Sequence, residues 1–465
     1  MFKSLGSSCN RSPTVADRIR KAVAPAYLFA CLILGGSAQG AWQNMVLQLL
    51  GLAIIAFAAA TRSTERFPRM AKPPLYLALV AIAVVVLQLV PLPPGLWLTG
   101  GRAVIADGFK LLGRPVPPLP ISVAPYDSIG TLYSFIPPLA LFCAMTRLRA
   151  YEPAWIALAL VVGTLAGMLL GVVQVASPGA NHWYLYPETN FGSAVGFFAN
   201  AAHMADLLVI TLPFVAAFAA LARIRDAQAS WAVRSVLAVV AVVLIAGIAL
   251  NGALAGYALA VPVIMASLLI VVRPRGLWRR AIAVLAGLAL IGSLAALAAV
   301  GIGASRLGTN AILSVESRHE ILATTGKAIA DNLPWGTGLG SFVRVYSLYE
   351  NADRVTNDYV VHAHNDYAEI ALELGIPGII LMIVFLGWWL AAALAPWRTP
   401  GAGPFARAAS IASAAVLAHS VVDFPLRTAA IGACFAAFCA LLADRRIPLK
   451  RTPGDLWATR HVVIR

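Results

Sequence analysis

Charge is scarce in this sequence. Charged residues fill 12% of 465 positions, against roughly 25% in ordinary soluble domains. Hydrophobic residues make up 60%, and the mean hydropathy is +0.81. So few charges cannot solvate the outer faces of the helices, so lipid must cover most of the chain. A soluble enzyme and a disordered tail are excluded. Cysteine is scarce too. Cys31, Cys143, Cys434 and Cys439 lie in apolar runs and Cys9 lies in the polar N-terminal stretch, so they read as packing residues or free thiols and give no disulfide framework. Aromatics are not interleaved with any basic patch, so the net charge of +15 does not indicate nucleic acid. Internal repeats, paired broken helices and low-complexity segments are all missing. The N-terminus has no convincing cleavage site, and its first apolar run is read as a retained helix.

The chain does contain long apolar runs. A spanning helix needs about 20 mainly apolar residues, and twelve candidates meet that need. They lie at roughly 23–39, 43–60, 74–92, 128–146, 154–176, 202–222, 235–250, 253–272, 281–303, 376–396, 408–424 and 428–443. The expected fold is an all-α polytopic membrane protein. Basic residues fix its orientation, because short loops rich in Lys and Arg stay cytoplasmic. With the N-terminus inside, 26 of the 35 Lys and Arg fall on inside segments and 9 on outside ones. The division follows as a cytoplasmic tail over 1–22, nine spans over 23–303, an outer, partly helical and catalytic loop over 304–375, three spans over 376–443, and a second cytoplasmic tail over 444–465. The outer loop holds nine of the 20 acids, and loops of such length tend to carry function. Two shorter outer loops, 93–127 and 177–201, are placed to cover it.

Several patterns carry chemistry. Ser317 to Leu333 has Ile321, Thr325, Ile329 and Leu333 at a spacing of four, which predicts an amphipathic helix at the interface, stopped by Pro334. The next residues place Gly336, Gly338 and Gly340 at alternate positions, where backbone N–H groups can approach a phosphate or simply make a turn. The densest cluster is His362-Ala-His364-Asn365-Asp366, with Glu369 and Glu373 following. At the mouth of a span such groups face a cavity or ligand, or else cap the helix. The His-x-His-x-Asp spacing also admits a metal, although the surrounding sequence is helical and lacks the strand context of metallohydrolases. At membrane depth, Asn200, His203 and Asp206 share one helix face, and His419 and Asp423 stand at i, i+4. Such pairs lock helices together or serve function.

Taken together, Arg318, the run Asn332 to Phe342, His364-Asn-Asp-Tyr-Ala-Glu369 and Glu373-Leu-Gly-Ile-Pro-Gly378 resemble the signature of the O-antigen ligase and polymerase superfamily. Gly196 to Asn200 with His203, and His419 to Arg427, also look like segments of it. These are membrane glycosyltransferases of the GT-C class. The resemblance implies the bacterial inner membrane, with both termini cytoplasmic and the site periplasmic. It implies a glycan donor carried on undecaprenyl diphosphate, a glycan or lipid A core acceptor, and no cofactor, metal or nucleotide sugar. The motif histidine falls on His364 and the loop arginine on Arg318. One departure stands out. Many members carry Ser-Arg-Gly at the outer start of the eighth span, whereas Leu250 to Gly256 here has no arginine. Arg306, Arg344 or Arg427 takes that place, or the donor site is altered.

The chemistry fits the residues. Expelling a lipid diphosphate needs cations or aligned donors where negative charge develops, and the acceptor hydroxyl needs a base. Arg318, Arg344 and the Gly336 to Gly340 turn answer the first need. His364, assisted by Glu369, answers the second, since an imidazole with a pKa of about 6.5 suits a base near neutrality. The supporting polar cluster is Asn200, His203, Asn365, Asp366, His419, Asp423 and Arg427. A ligase and a repeat-unit polymerase differ only in acceptor, with the ligase preferred here and a protein-directed oligosaccharyltransferase third. A secondary transporter would share the many spans, but it lacks support from repeat symmetry. The charge asymmetry makes one prediction. Single cysteines at positions 310 or 350, in a background lacking the native five, will react with impermeant reagents from the outer face, and labelling only after membrane disruption would reverse the orientation.

Overall fold

The computed structural model describes residues 15–37, 41–61, 67–98, 102–149, 151–177, 179, 181–222, 227–272, 276–303, 309–351 and 360–444, with side chains described for all of these except 15–17, 227–230, 279, 294 and 296–317. Among these residues the fold is entirely helical, apart from one isolated bridge between Leu92 and Leu119. The helices are α1 Val15–Leu34, α2 Trp42–Ala60, α3 Lys72–Leu89, α4 Pro94–Trp97, α5 Ala103–Leu111, α6 Pro125–Tyr133, α7 Ile136–Cys143, α8 Pro153–Ala176 and α9 Ala201–Ala222. They continue as α10 Ala227–Asn251, α11 Leu254–Val271, α12 Leu277–Gly303, α13 Thr309–Asn332, α14 Phe342–Tyr349, α15 Asp366–Arg398, α16 Pro404–His419 and α17 Ala429–Ala443.

A helix occupies each of the twelve expected positions. Among the described residues, eight spans are long and apolar enough to cross a membrane, with Arg280–Ser293 and Ala429–Ala443 as shorter apolar helices. The chain is a multi-pass membrane protein. Its central element is α9, 83% buried along its apolar window against 17% for α2, and α8, α10, α11 and α16 pack around it. A second group joins α17 to α7 and α1, with α2 against α7 and α8 against α1.

Four boundaries differ from expectation. The first helix begins at Val15, ahead of the apolar run at 23. The fourth span is divided at Ser134 and Phe135 into α6 and α7, where Pro137 and Pro138 follow the break. The eleventh helix ends at His419, which leaves Asp423 in the turn beyond it. The largest difference is α15, which begins at Asp366 and joins the helical polar motif to the span expected from 376 as one element. Asn365 makes this possible, because its side chain accepts from the Ala368 N–H at 2.9 Å, and acids in the first turn suit the positive end of the helix. Gly375, at φ +61°, then kinks the helix, a conformation that favours glycine.

The segment between α12 and α15 is docked onto the bundle. The α13 helix runs to Asn332 as the apolar spacing predicts, and Ile321, Thr325 and Ala328 are buried. That stripe packs against α14 and the start of α15. Loop 93–127 covers part of this segment, while loop 177–201 is joined to α1, α8 and α10. In that second loop Ala199 N–H donates to Gly36 O, Gln174 to Gly196 O and Asn251 to Ala194 O.

Candidate active site

The expected site residues assemble around two charged groups that share a phenylalanine wall. The first is Asp423, which is fully buried. Its Oδ1 faces His364 Nδ1 at 3.2 Å and accepts from the Phe424 N–H at 3.0 Å. Its Oδ2 lies 3.6 Å from Arg318 Nη2 and 3.9 Å from His419 Nε2. Arg318 also donates to Val422 O at 3.3 Å. Three distant pieces of chain therefore meet at one carboxylate: α13, the residue before the α15 cap, and the end of α16 with the turn that follows it.

The backbone around His364 is fixed for this purpose. His364 adopts φ +48°, the left-handed region that costs a non-glycine residue on the order of 1–3 kcal/mol. The flanking chain holds it there. Asn365 Nδ2 donates to Val421 O at 2.8 Å, Asp366 N to Ser420 O at 3.0 Å, and Tyr367 OH to Leu417 O at 2.7 Å. Asn365 and Asp366 thus strap the motif to the end of α16.

The second centre is Arg427, in the short turn before α17. It reaches Glu373 Oε2 at 3.2 Å, Glu369 Oε1 at 3.4 Å and Asp366 Oδ1 at 3.5 Å. Burial opposes its charge, but Glu369, Glu373 and Asp366 outweigh burial and hold the guanidinium above its ordinary range. Glu369 places its other contacts on His362 Nδ1 at 2.9 Å and the Ala363 N–H at 3.0 Å. Expected among the catalytic groups, Glu369 stands here as a brace. Ser420 Oγ donates to Asp366 Oδ2 at 2.8 Å.

Between the centres stands Phe424. Its ring centroid is 4.2 Å from that of His362 and 5.1 Å from those of both His364 and His203. On the Arg427 side lies a cavity of about 780 Å³, lined by His362, Glu369, Glu373 and Arg427, and by Tyr126 and Arg344 among others. Glu373 is fully buried, and its Oε1 has no hydrogen-bond partner. Arg344, on the cavity rim, pairs with Asp127 at 2.7 Å.

Other expectations fare differently. His362, His364 and Asp366 turn to Glu369, Asp423 and Ser420 respectively, so the metal spacing does not converge. Among the described residues no group of three ligating side chains is arranged for a metal. The glycine turn is committed to packing. Thr337 N donates to Leu372 O at 3.0 Å, Gly338 N to Glu373 O at 2.9 Å, and Gly336 N to Asn332 O at 3.0 Å. A Cβ on Gly338 would strike Ser122, and one on Gly340 would strike Thr131. Amides at 336 and 338 spent in this way cannot cradle a phosphate. Asn200 serves its own helix, accepting from the Ala202 N–H at 2.8 Å, while His203 and Asp206 enter the buried cluster. Arg306 lies outside the described residues.

Sequence reasoning missed Glu373 as a site residue, although its i, i+4 spacing from Glu369 puts both on one face toward Arg427. It also missed Arg102, which is buried and donates to Gly336 O at 2.7 Å; burial pushes this guanidinium down to about 10. Gln88 donates to both Trp335 O and Glu373 O at 3.0 Å. These contacts pin the glycine turn to α3, α15 and loop 93–127. Arg427 makes a stability prediction. Removing one partner of a buried ion pair costs about 3–5 kcal/mol, so Arg427→Ala will lower the melting temperature in detergent. Adding Glu373→Gln to Arg427→Ala will recover part of that loss, and an unchanged melting temperature in the single variant would refute the ion-pair assignment.

No curated protein matches the chain. Residues 238–383 match the family model Wzy_C, described as O-Antigen ligase. The match spans Arg318, the glycine turn, Arg344 and His364, and it stops short of Asp423 and Arg427. The matched stretch, from within α10 into the middle of α15, is therefore similar to the O-antigen ligase family domain.

Proposed function

We propose that this protein transfers a glycan from undecaprenyl diphosphate to an acceptor sugar hydroxyl on the periplasmic face of the inner membrane, as an O-antigen ligase does. The observation that carries this reading is the seating of His364 and Arg318 side by side on buried Asp423. His364 is 23% and Arg318 30% exposed, while Asp423 is fully covered. A base and a guanidinium therefore reach the surface together, held from behind by one anion.

The roles follow from hydrogen-bond chemistry. An ionised carboxylate only accepts, so Asp423 takes the Nδ1–H of His364 and leaves the lone pair on Nε2. Nε2 accepts the proton of the acceptor hydroxyl. The hydroxyl oxygen bonds to the anomeric carbon, the bond from that carbon to the diphosphate oxygen breaks, and the lipid diphosphate departs with the electron pair. Arg318 meets the leaving charge, since its planar fork can hold two phosphate oxygens at once.

The cavity suits the acceptor better than the donor. Asp127, Glu350, Glu369 and Glu373 line it against Arg344 and Arg427, an excess of negative charge that repels a diphosphate. Tyr126, Phe342 and Tyr346 add aromatic faces for sugar rings. A polymerase would use the same arrangement with a growing glycan as acceptor, and the matched domain supports a transferase of either type.

With purified protein and lipid-linked donor, His364→Ala will reduce transfer by about 100-fold, the usual scale for a lost general base, with folding intact. Arg318→Lys will keep part of the activity and Arg318→Ala very little, with losses in turnover as well as donor affinity. Near-normal transfer by a well-folded His364→Ala protein would remove the base from this account. Full activity in Arg318→Lys across a donor titration would reduce Arg318 to a headgroup contact.

A further inference from the structure

Behind Asp423 the polar cluster continues into the bundle, where the proposed transfer reaction makes no use of it. His419, at the end of α16, and Asp206, on α9, are both fully buried. His419 Nδ1 lies 3.4 Å from Asp206 Oδ1, and its Nε2 lies 3.9 Å from Asp423 Oδ2. Both ring nitrogens therefore face carboxylates. A neutral imidazole has one N–H and one lone pair, so in the neutral form one nitrogen would present its lone pair to a carboxylate oxygen. An imidazolium presents an N–H to each.

Charge balance leads to the same state. The titratable and charged groups around His419 are Asp206 and His203 from α9, Asp423 from the following turn, Arg318 from α13, and His362 and His364 ahead of α15. The Cys434 thiol of α17 lies near Asp206. With His419 charged, two carboxylates are met by His419 and Arg318, and the set is neutral while His364 awaits a proton. With His419 uncharged, the buried set carries an uncompensated negative charge, which is costly away from water. A carboxylic acid at Asp206 is a poor alternative. Its O–H would point at an imidazole, which is the stronger base by about 2.6 pKa units in ordinary conditions. Neither imidazole makes a closed hydrogen bond, but His419 has carboxylate oxygens at 3.4 and 3.9 Å, whereas the His203 ring stands edge-on to Phe424.

We propose that His419 is a standing imidazolium, holding one proton between Asp206 and Asp423, and that Asp206 and His419 are positioning residues that fix Asp423 and, through it, the tautomer of His364. The arrangement ties α9 and α16, the most buried part of the bundle, to the reacting face. Asp206 and His419 touch no substrate. They set the charge and placement of the carboxylate that does the orienting. The charge state stands on geometry and charge balance, whereas its catalytic consequence rests on the glycan-transfer reading.

Two measurements test the proposal, and they separate its failure from failure of that reading. In wild-type protein in nanodiscs with ¹⁵N-labelled histidine, one of the seven histidines will show the imidazolium signature at about pH 8, where an ordinary imidazole is neutral. That signal will vanish in His419→Gln, or be assigned through the other histidine variants should His419→Gln not fold. A neutral His419 ring at that pH overturns the proposal whether or not the protein transfers glycans. In the transfer assay, His419→Gln removes a positive charge that opposes protonation of His364, so the acid limb of the pH–rate profile will move up by about one unit. Turnover will fall about tenfold or more with donor KM little changed. The double variant Asp206→Asn with His419→Gln restores charge balance and will return the limb toward its wild-type position. A uniform loss at every pH, with the limb unmoved in both variants, would show the pair to be structural and overturn the positioning role.

Discussion

A carboxylate shut away from water must be met by cations or hydrogen-bond donors, and Asp423 is the place where this requirement organises the protein. It is answered by Arg318 from α13, His364 from the approach to α15, His419 from α16 and the backbone of Phe424. None of these could be withdrawn without leaving a buried charge exposed to the others. The polar segment between α12 and α15 is therefore secured to the bundle by more than its apolar stripe. The same demand that fixes the fold here places a base beside a guanidinium at the surface.

Arg427 repeats the principle with the signs reversed. One buried guanidinium gathers three carboxylates from successive turns of α15, and two of them, Glu369 and Glu373, line the cavity. The ring of Phe424 lies between the two centres. Positive charge thus meets solvent on the Arg318 side and negative charge dominates the cavity side, which separates a site suited to a diphosphate from one suited to neutral sugar hydroxyls.

How much of this was legible in the sequence depended on range. The apolar runs located the helices, because a run of about 20 apolar residues has few alternatives to a span. The stretch from Asn365 onward reads as helical, but that Asp366, Glu369 and Glu373 are buried on it was not legible, because only the fold shows Arg427, His362 and Ser420 satisfying them. The glycines at 336, 338 and 340 were readable as a turn, but their role depends on Ser122, Thr131 and Glu373, which come from other parts of the chain. His419 and Asp423 were visible as an i, i+4 pair. That Asp206 would reach the far side of the same imidazole was not, since nothing local relates α9 to α16. Arg102 gave no signal at all, being one arginine in a proline-rich loop.

The central claim is that Asp423 acts through His364, and a double-variant cycle on purified protein measures this directly. Asp423→Asn removes the anion while keeping the shape, so transfer should fall by about as much as in His364→Ala, and the double variant Asp423→Asn with His364→Ala should be little worse than either single one, because residues acting as a unit are not additive. Near-wild-type transfer in Asp423→Asn, or losses that simply multiply in the double variant, would contradict the account.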